Sequence, residues 1–286
     1  MGVRDKKESY LKQTFKRLAK NKVAMGACMV LVILIVLAVL APVIVPYGYE
    51  EMDFMALNVG PCKEHWFGTD ALGRDVFSRL IYGSKYSLSL GICASLLSMV
   101  TAIIFGSIAG YYGGWKDNVI LRICDVLQAI PGLLLAIVMS AVLGPGYINT
   151  ILAIAVGGVP STVRMVRSMV MSVRGLEYLE AAVAINCSPA RIMFKRILPN
   201  ILSPIIVGVT MGIGSTIMVA SSLSFLGLGI QPPLPEWGAM LSASRDSIRN
   251  YPHLVLFPGI FIFVTCLCAN LFGDGLRDAM DPKLKD

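Results

Sequence analysis

The chain contains five long stretches without an Asp, Glu, Lys or Arg, and these limit its fold more than any other feature. They cover residues 23–49, 86–115, 126–163, 197–235 and 250–273. A helix needs about 20 mainly apolar residues to cross a bilayer. The third stretch would form about 57 Å of helix, too long for one crossing, and Gly144-Pro145-Gly146 divides it. The sequence therefore predicts six transmembrane helices, at about 23–46, 87–111, 119–143, 148–170, 197–225 and 250–273.

The composition excludes the soluble alternatives. Hydrophobic residues make up 56% of the chain and charged residues 15%, whereas a soluble domain carries about 25% charged residues. This excludes a soluble enzyme, a secreted disulfide scaffold and a disordered chain. The apolar runs are also too long for the alternating ten-residue strands of an outer-membrane barrel. We therefore expect an all-α membrane protein.

Basic residues are distributed unevenly between the two sides of the predicted membrane. Six crossings place both termini on one side, and cytoplasmic segments are enriched in Lys and Arg. With the termini in the cytoplasm, 19 of the 25 basic residues lie inside. The six on the outside are Lys63, Arg74, Arg79, Lys85, Arg245 and Arg249. The net charge of +7 is thus mainly a topology signal, and without a basic stripe carrying aromatics we expect no nucleic-acid partner.

The spans divide the chain into segments. A cytoplasmic amphipathic segment (1–22) precedes the first transmembrane helix (23–46) and an outer loop with an interfacial helix (47–85). A five-helix core (86–273) follows, and it includes a cytoplasmic element (172–199) and a second outer loop (227–252). The chain ends with a solvated cytoplasmic segment (274–286).

The cytoplasmic element is too polar to cross the membrane and too regular for a linker. Apolar residues from Leu176 to Ile185 follow a helical spacing that Asn186-Cys187-Ser188-Pro189 interrupts. Ser188 as N-cap and Pro189 as first helical residue start a second helix, which we expect to stop at Pro199. A two-helix element with an apolar stripe predicts a soluble partner.

The first outer loop contains Phe67-Gly68-Thr69-Asp70 followed by Gly73-Arg74-Asp75. Asp70 is a suitable N-cap for the short helix expected after it, with Trp66 and Phe67 as interfacial anchors. The alternative is a docking or gating element. The second loop contains Pro235-Glu236-Trp237-Gly238 after two further prolines, so it is either a rigid binding surface or a rigid turn.

Several kinds of chemistry have no sequence signature here. The chain lacks a P-loop, a nucleophile elbow, a zinc-protease motif and a dinucleotide fingerprint, so no catalytic residue is assigned. Its seven cysteines include no C-x-x-C pair, so neither a metal site nor a disulfide framework is expected. The mid-span regions carry no charge, which argues against an ion-coupled carrier and favours a transporter driven by another polypeptide.

The cytoplasmic element resembles the EAA motif of the permease subunits of ABC importers. The matching positions are Glu180, Ala181, Ala182, Asn186, Cys187, Ser188, Pro189, Leu198 and Pro199. Asn186 replaces the family's usual Gly, and Asn also tolerates the left-handed backbone of such a turn. Arg196 stands where the family often has Ile.

The outer segments resemble the peptide/nickel branch of these permeases, second-subunit type. The resemblance covers nearly the whole chain. The matching residues are Phe67, Gly68, Thr69, Asp70, Gly73, Arg74, Asp75, Ser78 and Arg79, then 225–229, then Pro235, Glu236, Trp237 and Gly238, and the C-terminal segment from Gly273.

This resemblance implies a type I ABC importer in a bacterial or archaeal cytoplasmic membrane. The implied partners are a second homologous permease, two cytoplasmic ATPases that dock on 172–199, an extracytoplasmic binding protein and the lipid bilayer. ATP and Mg²⁺ would be used by the ATPases, and this chain would bind no cofactor. Di- or oligopeptides are the favoured cargo, nickel or another small solute is the alternative, and a membrane enzyme or scaffold is the remote alternative.

Overall fold

The chain folds into eleven α-helices in the computed structural model, which describes residues 10–280 and their side chains from Thr14 onward. The helices are α1 (Tyr10–Lys20), α2 (Lys22–Ile44), α3 (Val76–Tyr112), α4 (Gly114–Gln128), α5 (Gly132–Leu143), α6 (Tyr147–Arg174), α7 (Glu177–Ala184), α8 (Pro189–Ile192), α9 (Leu198–Phe225), α10 (Trp237–Ala243) and α11 (His253–Met280). A π-helical turn (Met193–Ile197) joins α8 to α9. Residues 1–9 and 281–286 of the two predicted terminal segments lie outside the described residues.

Six membrane crossings account for the fold. Among the described residues, α2, α3, α6, the continuous helix Pro189–Phe225 and α11 are long and apolar enough to span a bilayer. The predicted third crossing is instead the pair α4 and α5, bent by 86°. Helix α1 and the start of α2 pack against the end of α11, which places both ends of the described chain on one side. An even number of crossings is therefore required, so the bent pair counts as one crossing.

Helix α3 begins well before the predicted span. It has 37 residues, about 55 Å at 1.5 Å per residue, and therefore extends beyond the bilayer core of about 30 Å. The expected interfacial helix after Asp70 is not present as a separate element, because the helix begins only at Val76 and continues into the span. Its N-cap is Asp75, whose carboxylate accepts the Ser78 N–H at 2.7 Å.

The most extensive helix contact joins α3 to α6. Two glycines one turn apart, Gly106 and Gly110, lie against the α6 backbone. A Cβ at Gly106 would lie 2.8 Å from the Val163 carbonyl oxygen, and one at Gly110 would lie 2.8 Å from that of Arg167. Small residues permit such approach between transmembrane helices. This contact fixes α6, which leads directly into the cytoplasmic element.

The chain after the last span is helical rather than a solvated cap. Helix α11 continues to Met280, seven residues past the predicted end of the span at Gly273. Leu276 and Ala279 are buried with Leu18 and Ala24 from the N-terminal helices. The prediction failed because the charged residues of this segment occupy one helix face, while the apolar residues pack on α1 and α2.

Candidate functional site

The cytoplasmic element has the turn that its sequence predicts. Asn186 adopts a left-handed backbone conformation with φ of 58°, and the Cys187 N–H donates to the Ala182 carbonyl oxygen at 3.1 Å. Ser188 is the N-cap of α8, with its hydroxyl accepting the Arg191 N–H, and Pro189 occupies the first turn. These local predictions are confirmed.

The apolar stripe of this element is divided between two faces. Leu179 and Ala182 of α7 are buried, together with Ile192 and Ile197, against side chains of α6 and α9 such as Val166. Several other apolar side chains of the element are exposed. The most exposed are Val183, Ile185 and Phe194, with exposed fractions of 58%, 76% and 69%, and Phe194 lies beside α3. The element therefore has a base packed on the transmembrane helices and an exposed apolar tip at Val183 and Ile185, with Glu180 and Ala181 also exposed.

The helix does not stop at Pro199 as expected, because a π-helical turn precedes the proline and lets the helix continue. The Leu198 N–H donates to the Met193 carbonyl oxygen, five residues back. Proline has no N–H and clashes with the carbonyl one turn earlier, and a widened turn before it relieves both problems. The chain thus runs unbroken from Pro189 to Phe225, so the second half of the element is rigidly connected to the fifth crossing.

The outer motif 67–79 is an internal scaffold. Asp70 accepts hydrogen bonds from the Arg74 backbone N–H and from Arg74 Nε at 3.0 and 2.8 Å. Asp75 pairs with His65 Nδ1 at 2.9 Å, and Arg79 Nη1 donates to the Tyr49 carbonyl oxygen at 2.7 Å. Most of the predicted side chains are buried, namely Thr69, Arg74, Asp75, Ser78 and Arg79.

The motif also fastens the outer loop to the last helix. The ring of Phe67 stacks on Phe257 of α11 at a centroid distance of 4.0 Å. Gly68 and Gly73 have positive φ angles and lie against backbone and side-chain atoms of neighbouring segments, so neither position has room for a Cβ. Trp66 is the predicted anchor that remains exposed, at 60%.

The residues Pro235 to Gly238 anchor α10 into the outer end of the helix bundle. Trp237 is fully buried, and its Nε1 donates to the Leu80 carbonyl oxygen at 3.1 Å. Glu236 is also fully buried. As the N-cap of α10, its carboxylate accepts a hydrogen bond from the Ala239 N–H at 2.8 Å, and it accepts a second from the Ser87 hydroxyl at 3.2 Å. Burial raises the pKa of the Glu236 carboxyl above its ordinary value. Of the two interpretations of this loop, the rigid turn fits these buried side chains.

A groove between α3, α6 and α9 was not singled out from the sequence. It has a volume of about 290 Å³ and lies halfway along all three helices. Hydroxyl groups, glycines and two methionines line it, and none of its lining residues is charged. The available signal was small polar residues four apart, as in Gly158 and Thr162 or Gly208, Gly212 and Thr216.

A second cavity continues the groove toward the cytoplasm. It has a volume of about 480 Å³ and shares Met165 and Gly208 with the groove. Met169, Met211 and Arg277 line its inner part. The inner cavity reaches Arg277 and Met280 near the end of α11.

The family follows from comparison with known proteins. Residues 102–286 match the binding-protein-dependent transport system inner membrane component family, and residues 9–61 match the N-terminal transmembrane domain of oligopeptide transport permease C. The chain belongs to this family of transport permeases. It is therefore a multi-pass component of the inner membrane, as its apolar helices predict.

Curated relatives cover nearly the whole permease. The chain is 45% identical to the glutathione transport system permease protein GsiD of Pectobacterium atrosepticum, over 99% of this chain and 95% of the relative. It is 47% identical to the dipeptide transport system permease protein DppC of Alkalihalophilus pseudofirmus, over 96% of this chain and 90% of the relative.

Solved structures support the predicted fold class. A chain of the MetNI methionine ABC transporter in an inward-facing conformation aligns with a TM-score of 0.57 at 17% identity, covering 71% of this permease and 97% of that chain. An amino acid ABC transporter aligns with a TM-score of 0.54 at 14% identity, covering 71% of this permease and 94% of that chain. The prediction of an all-α, type I ABC importer permease is confirmed.

Proposed function

We propose that this permease forms one half of the translocation path of a peptide importer. The relatives named for glutathione and dipeptides support this cargo class, because both solutes are short chains joined by amide bonds. A second homologous permease supplies the other half of the path. An extracytoplasmic binding protein delivers the peptide to the outer face, in keeping with a binding-protein-dependent family.

The cytoplasmic element is the proposed docking site for two ATPase subunits. The observation that carries this proposal is the exposure of Val183 and Ile185 beside the turn at Asn186, in an element too polar to cross the membrane. Exposed apolar patches on such a segment are typical of protein interaction sites. The ATPases bind and hydrolyse ATP with Mg²⁺, and this chain binds no nucleotide or other cofactor.

Two changes in the element test the docking site. Ser188→Trp adds bulk at the turn, and Glu180→Lys reverses a charge beside the tip. We expect both variants to reach the membrane and to lose binding-protein-stimulated ATP hydrolysis together with uptake. Asp278→Lys is the matched control, since Asp278 is exposed near the cytoplasmic end of α11 and lies outside the element. Unchanged coupling in both element variants would reject the proposed docking site.

Uptake measurements test the cargo. Cells lacking this chain are compared with complemented cells for uptake of a labelled dipeptide, glutathione and Ni²⁺. We expect complementation to restore peptide uptake and leave Ni²⁺ uptake unchanged. Loss of Ni²⁺ uptake with normal peptide uptake in the deletion strain would replace the peptide proposal with the nickel alternative.

A further inference from the structure

The mid-bilayer groove has an unusual supply of hydrogen-bonding groups. Six hydroxyls line it, from Ser95, Ser98, Ser161, Thr162, Ser215 and Thr216. Each hydroxyl carries one donor proton and two acceptor lone pairs. The destination of each proton therefore decides whether the groove offers donors or acceptors to a solute.

The four hydroxyls on α6 and α9 donate to their own helices. Ser161 and Thr162 both donate to the Gly158 carbonyl oxygen, at 3.0 and 2.9 Å. Ser215 and Thr216 both donate to the Gly212 carbonyl oxygen, at 2.9 and 2.7 Å. Their protons are therefore already used in hydrogen bonds within the protein, and their lone pairs remain available to accept hydrogen bonds.

The two hydroxyls on α3 donate across helix contacts. Ser98 donates to the Ala155 carbonyl oxygen of α6 at 2.9 Å. Ser95 lies 2.9 Å from the Thr216 hydroxyl, and Ser95 is the donor of this pair because the single proton of Thr216 goes to Gly212. All six protons are used within the protein, and the groove presents acceptor oxygens.

We propose that this groove is a solute site that accepts hydrogen bonds from N–H groups, namely the amide N–H and α-ammonium of a passing peptide. The inference rests on the proposed peptide import and adds the chemistry by which the permease itself recognises its cargo. The groove contains no carboxylate, so it attracts an ammonium group without holding it as a fixed ion pair. A pathway needs contacts favourable enough for entry and weak enough for release.

The side walls of the groove suit variable peptide side chains. Met99 and Met165 meet over Gly208, where a Cβ would lie 3.0 Å from Met165 Cε and 3.5 Å from Met99 Cε. Methionine is flexible and polarisable and adapts to irregular apolar partners. Met165 and Gly208 also line the inner cavity.

A helix of the second permease is the competing occupant, and its chemistry fits less well. The backbone N–H groups of a transmembrane helix are bonded within that helix, so its surface offers few donors to a row of acceptor oxygens. A peptide in transit has unbonded N–H groups. The acceptor lining thus favours the solute over a packed helix.

Cysteine labelling of the full importer complex in nanodiscs tests occupancy without any cargo. Ser161→Cys and Ser215→Cys are treated with a charged, water-soluble methanethiosulfonate, and labelling is measured above that of the seven native cysteines. Ile33→Cys, midway along α2 and 46% exposed, is the control on the outer surface of an apolar crossing. We expect labelling in the groove and none at position 33. Unreactive groove cysteines would assign the groove to helix packing and overturn the proposal.

Uptake of a dipeptide and of its analogue with an N-methylated amide tests the acceptor chemistry. Each variant is compared with the wild type using the same binding protein, so discrimination by that protein cancels. Loss of one hydrogen bond corresponds to about a fivefold effect. We expect the double variant Ser161→Ala with Ser215→Ala to slow dipeptide uptake by fivefold or more, and to slow uptake of the N-methylated analogue by less. We expect Ser→Thr at both positions, which keeps the hydroxyls, to retain uptake of the dipeptide.

The control and the contrary result are clear. The control is Ser222→Ala on α9, which removes a similar hydrogen bond from a serine hydroxyl to its own helix, at the Met218 carbonyl oxygen. Ser222 does not line the groove, so we expect this variant to take up both solutes as the wild type does. Equal slowing of both solutes would refute N–H recognition. If the wild type imports neither peptide, the peptide proposal fails, while the labelling result still decides whether the groove is a solute site.

Discussion

The contact between α3 and α6 makes a quantitative prediction. A Cβ at Gly106 would lie 2.9 Å from Val166 Cβ, and one at Gly110 would lie 2.9 Å from Val170 Cβ. Carbon atoms in contact prefer about 3.5–4.0 Å, and the obstructing atoms are rigid backbone and β-branched carbons. Changing both glycines to alanine must therefore push the two helices apart.

The cost follows from the two opposing effects. Overpacking costs about 1–3 kcal/mol at each site, while alanine gains up to about 1 kcal/mol of helix propensity over glycine. At the middle of the first range, Gly106→Ala with Gly110→Ala loses about 2 kcal/mol. At about 2.1 cal/mol/K of unfolding entropy per residue, that lowers the melting temperature of a chain of this length by about 3 °C.

Thermal unfolding of the purified complex in nanodiscs measures this loss. Gly26→Ala in α2 and Gly259→Ala in α11 are matched controls, because in the described part of the chain no atom of another helix lies within 4 Å of a Cβ at either position. We expect the control melting temperatures to equal or slightly exceed that of the wild type. If the double variant melts at or above the controls, close packing of the glycine pair does not hold α3 against α6.

Two further predictions concern charged groups. Burial favours the neutral form of the Glu236 carboxyl and so raises its pKa in the folded protein. The ordinary pKa of a glutamate is about 4.3. As the pH rises from that value through the raised pKa, the folded protein loses stability relative to the Glu236→Gln variant, which does not titrate. Melting curves of both proteins across pH check this, and parallel curves would contradict it. The bidentate Arg167–Asp117 pair, at 2.5 Å and partly buried, is expected to show a coupling energy of about 1–3 kcal/mol in a double-mutant cycle. The exposed Arg164–Asp125 pair should couple by less than about 1 kcal/mol, and equal coupling in the two cycles would contradict the role of burial.

Features set by local sequence were predictable. The apolar runs located the spans because a bilayer selects for hydropathy over about 20 residues. Ser188 and Pro189 identified a helix start because capping depends on neighbouring backbone groups. Asn186 identified the left-handed turn for the same reason, and the structure confirms both.

Features set by tertiary contacts were not predictable. Asp70 is a residue type suited to an N-cap, but its carboxylate accepts a hydrogen bond from Arg74 Nε. Asp75 caps the helix instead. Nothing local distinguishes Leu179, buried on α6, from Ile185, which is exposed. The groove required three helices to be aligned at one depth, and the spacing of small residues gives no such register.

The connections of the cytoplasmic element explain how an event at its tip reaches the groove. At one end the element follows α6 after Gly175, and at the other it continues without a break into α9. Both helices line the groove, whereas α3, its third wall, is held to α6 by the two glycines. If ATPases dock on the element as proposed, their closure would act on α9 relative to the α3–α6 pair. The Ser95–Thr216 bond joins α3 to α9 within the groove, and Gly208 of α9 lies against Met99 and Met165. A displacement of α9 would therefore change both contacts and, with them, the width of the groove.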